Sequence, residues 1–284
     1  MSDTVLVERD EAVATLTLNR PERLNAITHE LAEAVRARLA EANADDDIRV
    51  VRLRGAGRIF CAGYDIGWGS QQMTEREGER PWDPMADLRN MNRFVQDTYM
   101  ALWRSPKPVI AQVHGYCVGG GTDFALCSDL IVCTEDCRIG YPPARVWGSP
   151  TTAMWTYRLG LERSKRVLLT GDPLDGRTAV EWGLASLAVP DDEVDAAGLA
   201  LAKRVARLPS NQLQMMKLLV NQAIEQMGLA NTQLVGTLLD GAARHTPEGV
   251  DFTQRALQDV RAAVAERDAP FGDYGQGRGS VAQP

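Results

Sequence analysis

Apolar and polar positions follow two different periods along the first two thirds of the chain. Within residues 4–19 (TVLVERDEAVATLTLN) two alternating runs flank Asp10-Glu11, which predicts a pair of strands around a turn, with Val13, Leu16 and Leu18 facing inward. Asn19-Arg20-Pro21 ends that pattern, and a helical period takes over. Thr28 reads as an N-cap, Leu31, Ala34, Val35 and Leu39 share one face, and Asp45-Asp46-Asp47 closes a helix predicted over 29–43. A Val- and Ile-rich strand is predicted over 48–54. Residues 67–90 are polar and carry Trp68, Gly69, Gly78, Pro81 and Pro84, so they read as an irregular excursion of the kind that forms lids or binding loops.

The alternation then resumes. A helix is predicted over 88–104, a strand over 109–113, an apolar helix over 122–127 behind Gly119-Gly120-Gly121, and a strand over 129–133. Helices over 164–170 and 178–182 precede a strand over 185–189. From about 191 onward the period is helical, with Leu199, Ala202, Val205 and Ala206 on one face and Leu213, Met216, Leu219, Val220 and Ala223 on another. The chain therefore divides into a core of strand–strand–helix units over 1–190, a helical region over 191–270, and a Gly-rich tail over 271–284 expected to be loosely ordered.

Composition narrows the function classes. The 284 residues are 44% hydrophobic and 24% charged, and 31 basic against 38 acidic residues leave a net charge of −7, which argues against general nucleic-acid or anionic-membrane binding. No 18-residue apolar span predicts a membrane helix, and the acidic start lacks the layout of a signal peptide, so a cytoplasmic protein is expected. The five cysteines form no Cys-x-x-Cys pair and the three histidines are scattered, so no metal site is expected and the thiols read as reduced and buried.

Candidate chemistry gathers in three segments: Phe60-Cys61-Ala62-Gly63-Tyr64-Asp65-Ile66, His114 to Asp123 (HGYCVGGGTD), and Ile139-Gly140-Tyr141-Pro142-Pro143-Ala144-Arg145-Val146-Trp147-Gly148. The triple glycine lacks the Gly-Lys-Ser/Thr of a phosphate loop and the spacing of a dinucleotide fingerprint. Two readings remain for it: tight helix–strand packing, or backbone N–H groups aimed at negative charge developing on a carbonyl oxygen.

The first two segments together resemble the paired signature of the crotonase (enoyl-CoA hydratase/isomerase) superfamily. Asn19-Arg20-Pro21 with Leu24-Asn25-Ala26, Lys107-Pro108-Val109-Ile110-Ala111, and Leu169-Thr170-Gly171 with Trp182-Gly183-Leu184 match in order and spacing. The resemblance implies an α/β fold, a crotonase-like spiral of ββα units with a helical C-terminal trimerisation region, assembled as a homotrimer or a dimer of trimers. It implies an acyl-CoA thioester substrate, with no cofactor beyond the coenzyme A that the substrate carries. The enolate would be held by the N–H groups of Tyr64 and Gly120. Segments 23–26 and 62–66 would line the coenzyme A site, through Arg23, Leu24, Ala26, Ala62, Asp65 and Ile66, with Arg23 meeting a phosphate. Gly119, Tyr141, Pro142 and Pro143 would line the acyl end.

Two departures matter. Family hydratases place one glutamate two residues after the triple glycine and another after a proline in the third segment. Here those positions hold Asp123 and Pro143, and no acid occurs between Asp136 and Glu162. Asp123 is one methylene (about 1.5 Å) shorter than glutamate, and its place in a helix's first turn favours the ionised form, which suits a general base. Tyr64, Tyr141, Tyr157 and Arg145 are the other groups near enough in sequence to move a proton. Trp147 and Trp155 are expected in the acyl pocket or the core. The expected function is an enoyl-CoA hydratase with Asp123 as the one acid in family position. The alternatives are an isomerase or other single-base enolate enzyme, and a non-catalytic acyl-CoA-binding trimer.

Overall fold

The computed structural model describes residues 4–66 and 82–274. Strands β1 (Val5–Asp10) and β2 (Val13–Leu18) form an antiparallel hairpin in which Glu11 takes φ +53° to close the turn. From β2 the sheet continues in parallel through β3 (Val50–Gly55), β4 (Val109–Val113), β6 (Leu130–Thr134) and β8 (Leu187–Val189). Parallel strands are covered on both faces, and β2 and β4 are buried at every position. A second, two-stranded parallel sheet pairs β5 (Tyr116–Val118) with β7 (Arg138–Gly140).

Helix α1 (His29–Ala44) starts where expected: the Thr28 hydroxyl accepts the Leu31 N–H at 3.3 Å, and Leu31, Val35 and Leu39 pack on the sheet. The next helical stretch differs from expectation. Residues 84–90, read as irregular, belong to α2 (Pro84–Phe94), because Asp83 caps the Met85 N–H at 3.0 Å and Pro84 sits in the first turn. Residues 67–83 were part of the same expectation, and 67–81 lie outside the described residues. A π-turn over Val95–Tyr99 leads into α3 (Met100–Arg104).

Helix α4 (Gly120–Leu126) is fully buried, starting at the second glycine of the triplet rather than at Thr122. Helix α5 (Met154–Thr170) covers the predicted 164–170 and extends ten residues earlier; Gly160, at φ +72°, breaks it into two pieces and hides the continuous period from the sequence. After α6 (Gly176–Glu181) and β8, helix α7 (Val194–Val205) packs on the sheet against Val13, Val50, Ile110 and Val132. It is pinned there by Arg52, which reaches Asp195 at 3.0 Å from within the sheet. Helices α8 (Ser210–Gln226), α9 (Leu229–Arg244), α10 (Pro247–Gln258) and α11 (Val260–Asp268) complete the chain.

The start of the tail is anchored rather than loose. Arg145, nearly inaccessible, pairs with Asp268 at 3.1 Å and Asp273 at 2.5 Å and lies over the Phe271 ring at 3.8 Å. These three contacts on one guanidinium offset the removal of that charge from water. Residues 275–284 lie outside the described residues.

Candidate active site

Four separate stretches of chain are laced side by side by backbone hydrogen bonds. Ala62 N–H donates to Leu24 O at 3.0 Å, Ile27 N–H to Gly63 O at 2.8 Å, and Asp65 N–H to Ile27 O at 3.0 Å. On the other flank, Cys61 N–H donates to Tyr116 O at 3.0 Å and Val118 N–H to Cys61 O at 3.1 Å. Gly119 N–H then reaches Gly140 O at 3.1 Å, adding the third candidate segment. The N–H groups of Tyr64 and Gly120 take part in none of these bonds between segments.

Asn25 holds the first loop in shape. It is fully buried at φ +51°; its carboxamide donates to Ala56 O at 2.8 Å, Ile59 O at 3.0 Å and Phe60 O at 3.1 Å, and accepts from Arg20 N–H at 2.9 Å. Asparagine tolerates the left-handed region because its short polar side chain bonds locally.

The glycines divide by role. Gly63 has φ +88°, and a Cβ there would lie 2.9 Å from Val118 O and 3.3 Å from the Gly120 nitrogen, so the turn before Tyr64 rests directly on the start of α4. A Cβ on Gly120 would lie 2.7 Å from the Tyr64 ring. Gly121 faces Cys61 instead, at 2.7 Å from its carbonyl, and serves packing. The packing reading of the triple glycine therefore holds at Gly120 and Gly121.

Asp123 projects from the first turn of α4 and is 1% exposed. Its Oδ1 accepts a 2.5 Å hydrogen bond from the Thr152 hydroxyl. Burial pushes its pKa up to about 7, against the stabilising hydrogen bond, and the charge of Asp240 pushes the same way. This corrects the expectation of a dipole-stabilised carboxylate: desolvation outweighs the helix terminus, and the group titrates near neutrality.

The other candidates are distributed around it. The Tyr64 hydroxyl accepts from Tyr99 at 3.0 Å, and Phe94 meets its ring edge-on. Pro143 lies against Gly119, 3.6 Å from a Cβ built there. Tyr141 and Pro142 are buried, and the Tyr141 hydroxyl sits beside Gly148. Asp65 pairs with Arg20 at 3.3 Å and with the exposed Arg23 at 3.8 Å. Ile66 packs with Val146, Trp147 and Phe252. Trp155 lies in the main core. Two proposed proton carriers lie elsewhere: Arg145 is held by its carboxylates, and Tyr157 bonds Thr232 at 2.9 Å.

A family model described as enoyl-CoA hydratase/isomerase matches residues 8–250. The chain belongs to that family, within the crotonase superfamily. A solved enoyl-CoA hydratase from Mycobacterium smegmatis is 42% identical, with a TM-score of 0.92 over 98% of both chains. The 1,2-epoxyphenylacetyl-CoA isomerase of Escherichia coli is 32% identical over 82% of this chain and 87% of its own length. The 2,3-dehydroadipyl-CoA hydratase of the same organism is 30% identical over 90% and 98%.

Within this family member the sequence reading missed Thr152 and Asp240. Thr152 carries no motif. Asp240 had a signal: Gln233, Thr237 and Asp240 lie on one buried face of α9 at helical spacing, polar residues where a packed face is ordinarily apolar.

Proposed function

We propose that this enzyme binds an acyl-CoA thioester with its carbonyl oxygen between the N–H groups of Tyr64 and Gly120, and that Asp123 moves the proton at Cα. The observation that carries this reading is Asp123 itself: one buried carboxyl, held by Thr152, with a pKa of about 7, beside the contact between Gly63 and Gly120. A group titrating near neutrality can give and take a proton with little driving-force penalty. N–H donors aimed at an enolate oxygen are each worth a few kcal/mol of barrier. Coenzyme A runs along Arg23, Leu24, Ala26, Ala62, Asp65 and Ile66 in this reading, and Gly119, Tyr141, Pro142 and Pro143 face the acyl end.

Hydration of a 2-enoyl-CoA is the first assignment and double-bond isomerisation the second. The second is favoured by the single acid in family position and by the likeness to 1,2-epoxyphenylacetyl-CoA isomerase. Exposed apolar residues on α8 and α9, among them Leu218, Leu219, Val235 and Leu239, support a homo-oligomer, and five buried free thiols fit the reducing cytosol.

The test is crotonyl-CoA in heavy water, following loss of the conjugated-thioester absorbance together with deuterium entry at Cα. Both signals, lost together in Asp123→Asn, are expected for a hydratase. Deuterium entry and bond migration in a 3-enoyl-CoA without hydration mark the isomerase. An Asp123→Asn enzyme with unchanged rates removes Asp123 from the mechanism.

A further inference from the structure

The third segment offers Pro143 where a second carboxyl is expected, yet a second buried carboxyl group, from a distant part of the chain, is tied to the same short turn as Asp123. We propose that Asp240, on α9, is the second proton-transfer group, acting on the water that adds to the acyl chain while Asp123 serves Cα. This rests on the acyl-CoA reading of the Asp123 site.

The two acids are tied to one short turn. Asp123 accepts from the Thr152 hydroxyl at 2.5 Å, and Asp240 Oδ1 accepts from the Ser149 N–H at 3.2 Å, three residues earlier. The buried face of α9 packs on that turn: Gln233 donates to Thr152 O at 3.1 Å, and a Cβ on Gly236 would lie 3.0 Å from Pro150 O. Asp240 is 8% exposed, and its charge is felt at Asp123, Tyr64 and Tyr141, the residues around the proposed acyl end. Small residues at 148 and 236 allow this approach.

Burial raises the pKa of Asp240 as it does that of Asp123, and the two acids differ in their neighbours. Asp240 has Arg244 at 3.1 Å, one turn on, and that guanidinium opposes the rise by favouring the ionised carboxylate. Asp123 has no cation among the groups that shift it, and it holds its proton up to about pH 7. Water gives a proton to the Asp240 carboxylate and its oxygen bonds to Cβ. The π pair moves through Cα onto the thioester oxygen. Protonated Asp123 then delivers its proton to Cα as the enolate collapses. One proton has passed to Asp240 and one has left Asp123, so a single proton return resets the pair.

Asp240→Asn keeps an acceptor for Ser149 and leaves Arg244 its 3.0 Å partner Asp87, so the fold is preserved. Hydration of crotonyl-CoA and cinnamoyl-CoA is measured beside Cα deuterium exchange in butyryl-CoA, which needs no water addition. The expected result is a hydration rate at least 100-fold lower in Asp240→Asn, with exchange and butyryl-CoA affinity within about threefold of wild type, and partial recovery in Asp240→Glu. Equal loss of hydration and exchange, or loss of neither, overturns the proposal by reducing Asp240 to a support for the turn. A wild-type enzyme that exchanges butyryl-CoA but hydrates neither ester overturns it too, leaving Asp123 as base. Exchange that survives Asp123→Asn overturns instead the reading on which the proposal rests.

Discussion

The hydroxyl of Thr152 lies 2.5 Å from Oδ1 of Asp123, inside a site where Asp123 is otherwise stripped of water. A hydrogen bond donated to a carboxylate stabilises its charged form, so Thr152 opposes the burial that drives the Asp123 pKa up to about 7. If Asp123 moves the proton at Cα as proposed, the balance between the two sets the pH at which the enzyme works.

Replacing Thr152 by valine keeps the volume and removes the donor. A hydrogen bond to a charged group is worth about 1.5–3 kcal/mol, or about 1–2 pKa units. The Asp123 pKa then rises above 7, the ionised fraction at pH 7 falls, and Cα exchange at that pH drops about tenfold but recovers near pH 9. Thr152→Ser retains the wild-type profile. A pH profile of exchange in the three enzymes checks this, and coincident profiles exclude the role.

The same burial has a stability consequence. An Asp side chain releases its proton near 3.8 when unfolded, and Asp123 near 7 in the fold. Between those values the folded protein holds a proton that the unfolded chain has lost, so this site's contribution falls as pH rises through the window, by on the order of 3–4 kcal/mol in all. Asp123→Asn removes the ionisation and keeps an acceptor for Thr152. Its denaturation midpoint should exceed that of wild type by a margin that is small at pH 4.5 and largest at pH 8. A margin independent of pH contradicts the assignment.

These two acids show what a sequence exposes and what it withholds. Asp123 was singled out because the resemblance places an acid two residues after the triple glycine, and the structure buries that residue in the first turn of α4. Its protonation state was not legible, because burial is a property of the whole fold and it reversed the inference from the helix terminus. Asp240 is 117 residues beyond Asp123, and the packing of α9 on the 149–152 turn joins them, which no local pattern in the sequence signals. The strands and α1 were legible through period and capping. The first four residues of α2 were not, because Asp83-Pro84 reads equally as a break and as a helix start. Only the capped geometry decides between them.

Gly120→Ala tests the contact between Tyr64 and the start of α4. Its Cβ would sit 2.7 Å from the Tyr64 ring, which Tyr99 and Phe94 prevent from swinging away. Overpacking of this kind destabilises by about 1–3 kcal/mol, and a displacement near 1 Å lowers turnover by about 100-fold. Gly160→Ala is the control: its φ of +72° strains an alanine by about 1–2 kcal/mol, but the Cβ meets nothing within 4 Å. Turnover should persist in that variant and fail in Gly120→Ala, measured at equal folded fraction.

Arg23→Gln probes the coenzyme end. Arg23 is 61% exposed and Asp65 retains Arg20 at 3.3 Å without it, so stability should change by no more than about 0.5 kcal/mol. If the guanidinium meets a substrate phosphate, KM for the CoA ester rises about fivefold to tenfold at low salt with kcat unchanged, and the difference shrinks as ionic strength rises. An unchanged KM returns Arg23 to the solvated surface.

Leu219 and Leu239 are 66% and 56% exposed on α8 and α9, apolar surface that the proposed homo-oligomer would cover. Leu219→Asp with Leu239→Asp should convert an oligomer into monomers by sedimentation. Leu239 immediately precedes Asp240, so whatever covers the outer face of α9 also limits the motion of the carboxylate on its inner face. Hydration should therefore fall on dissociation more than butyryl-CoA exchange does, since exchange depends on Asp123 in the rigid core. A wild-type enzyme that sediments as a monomer, or a dissociated variant that loses both activities alike, breaks this link between assembly and Asp240.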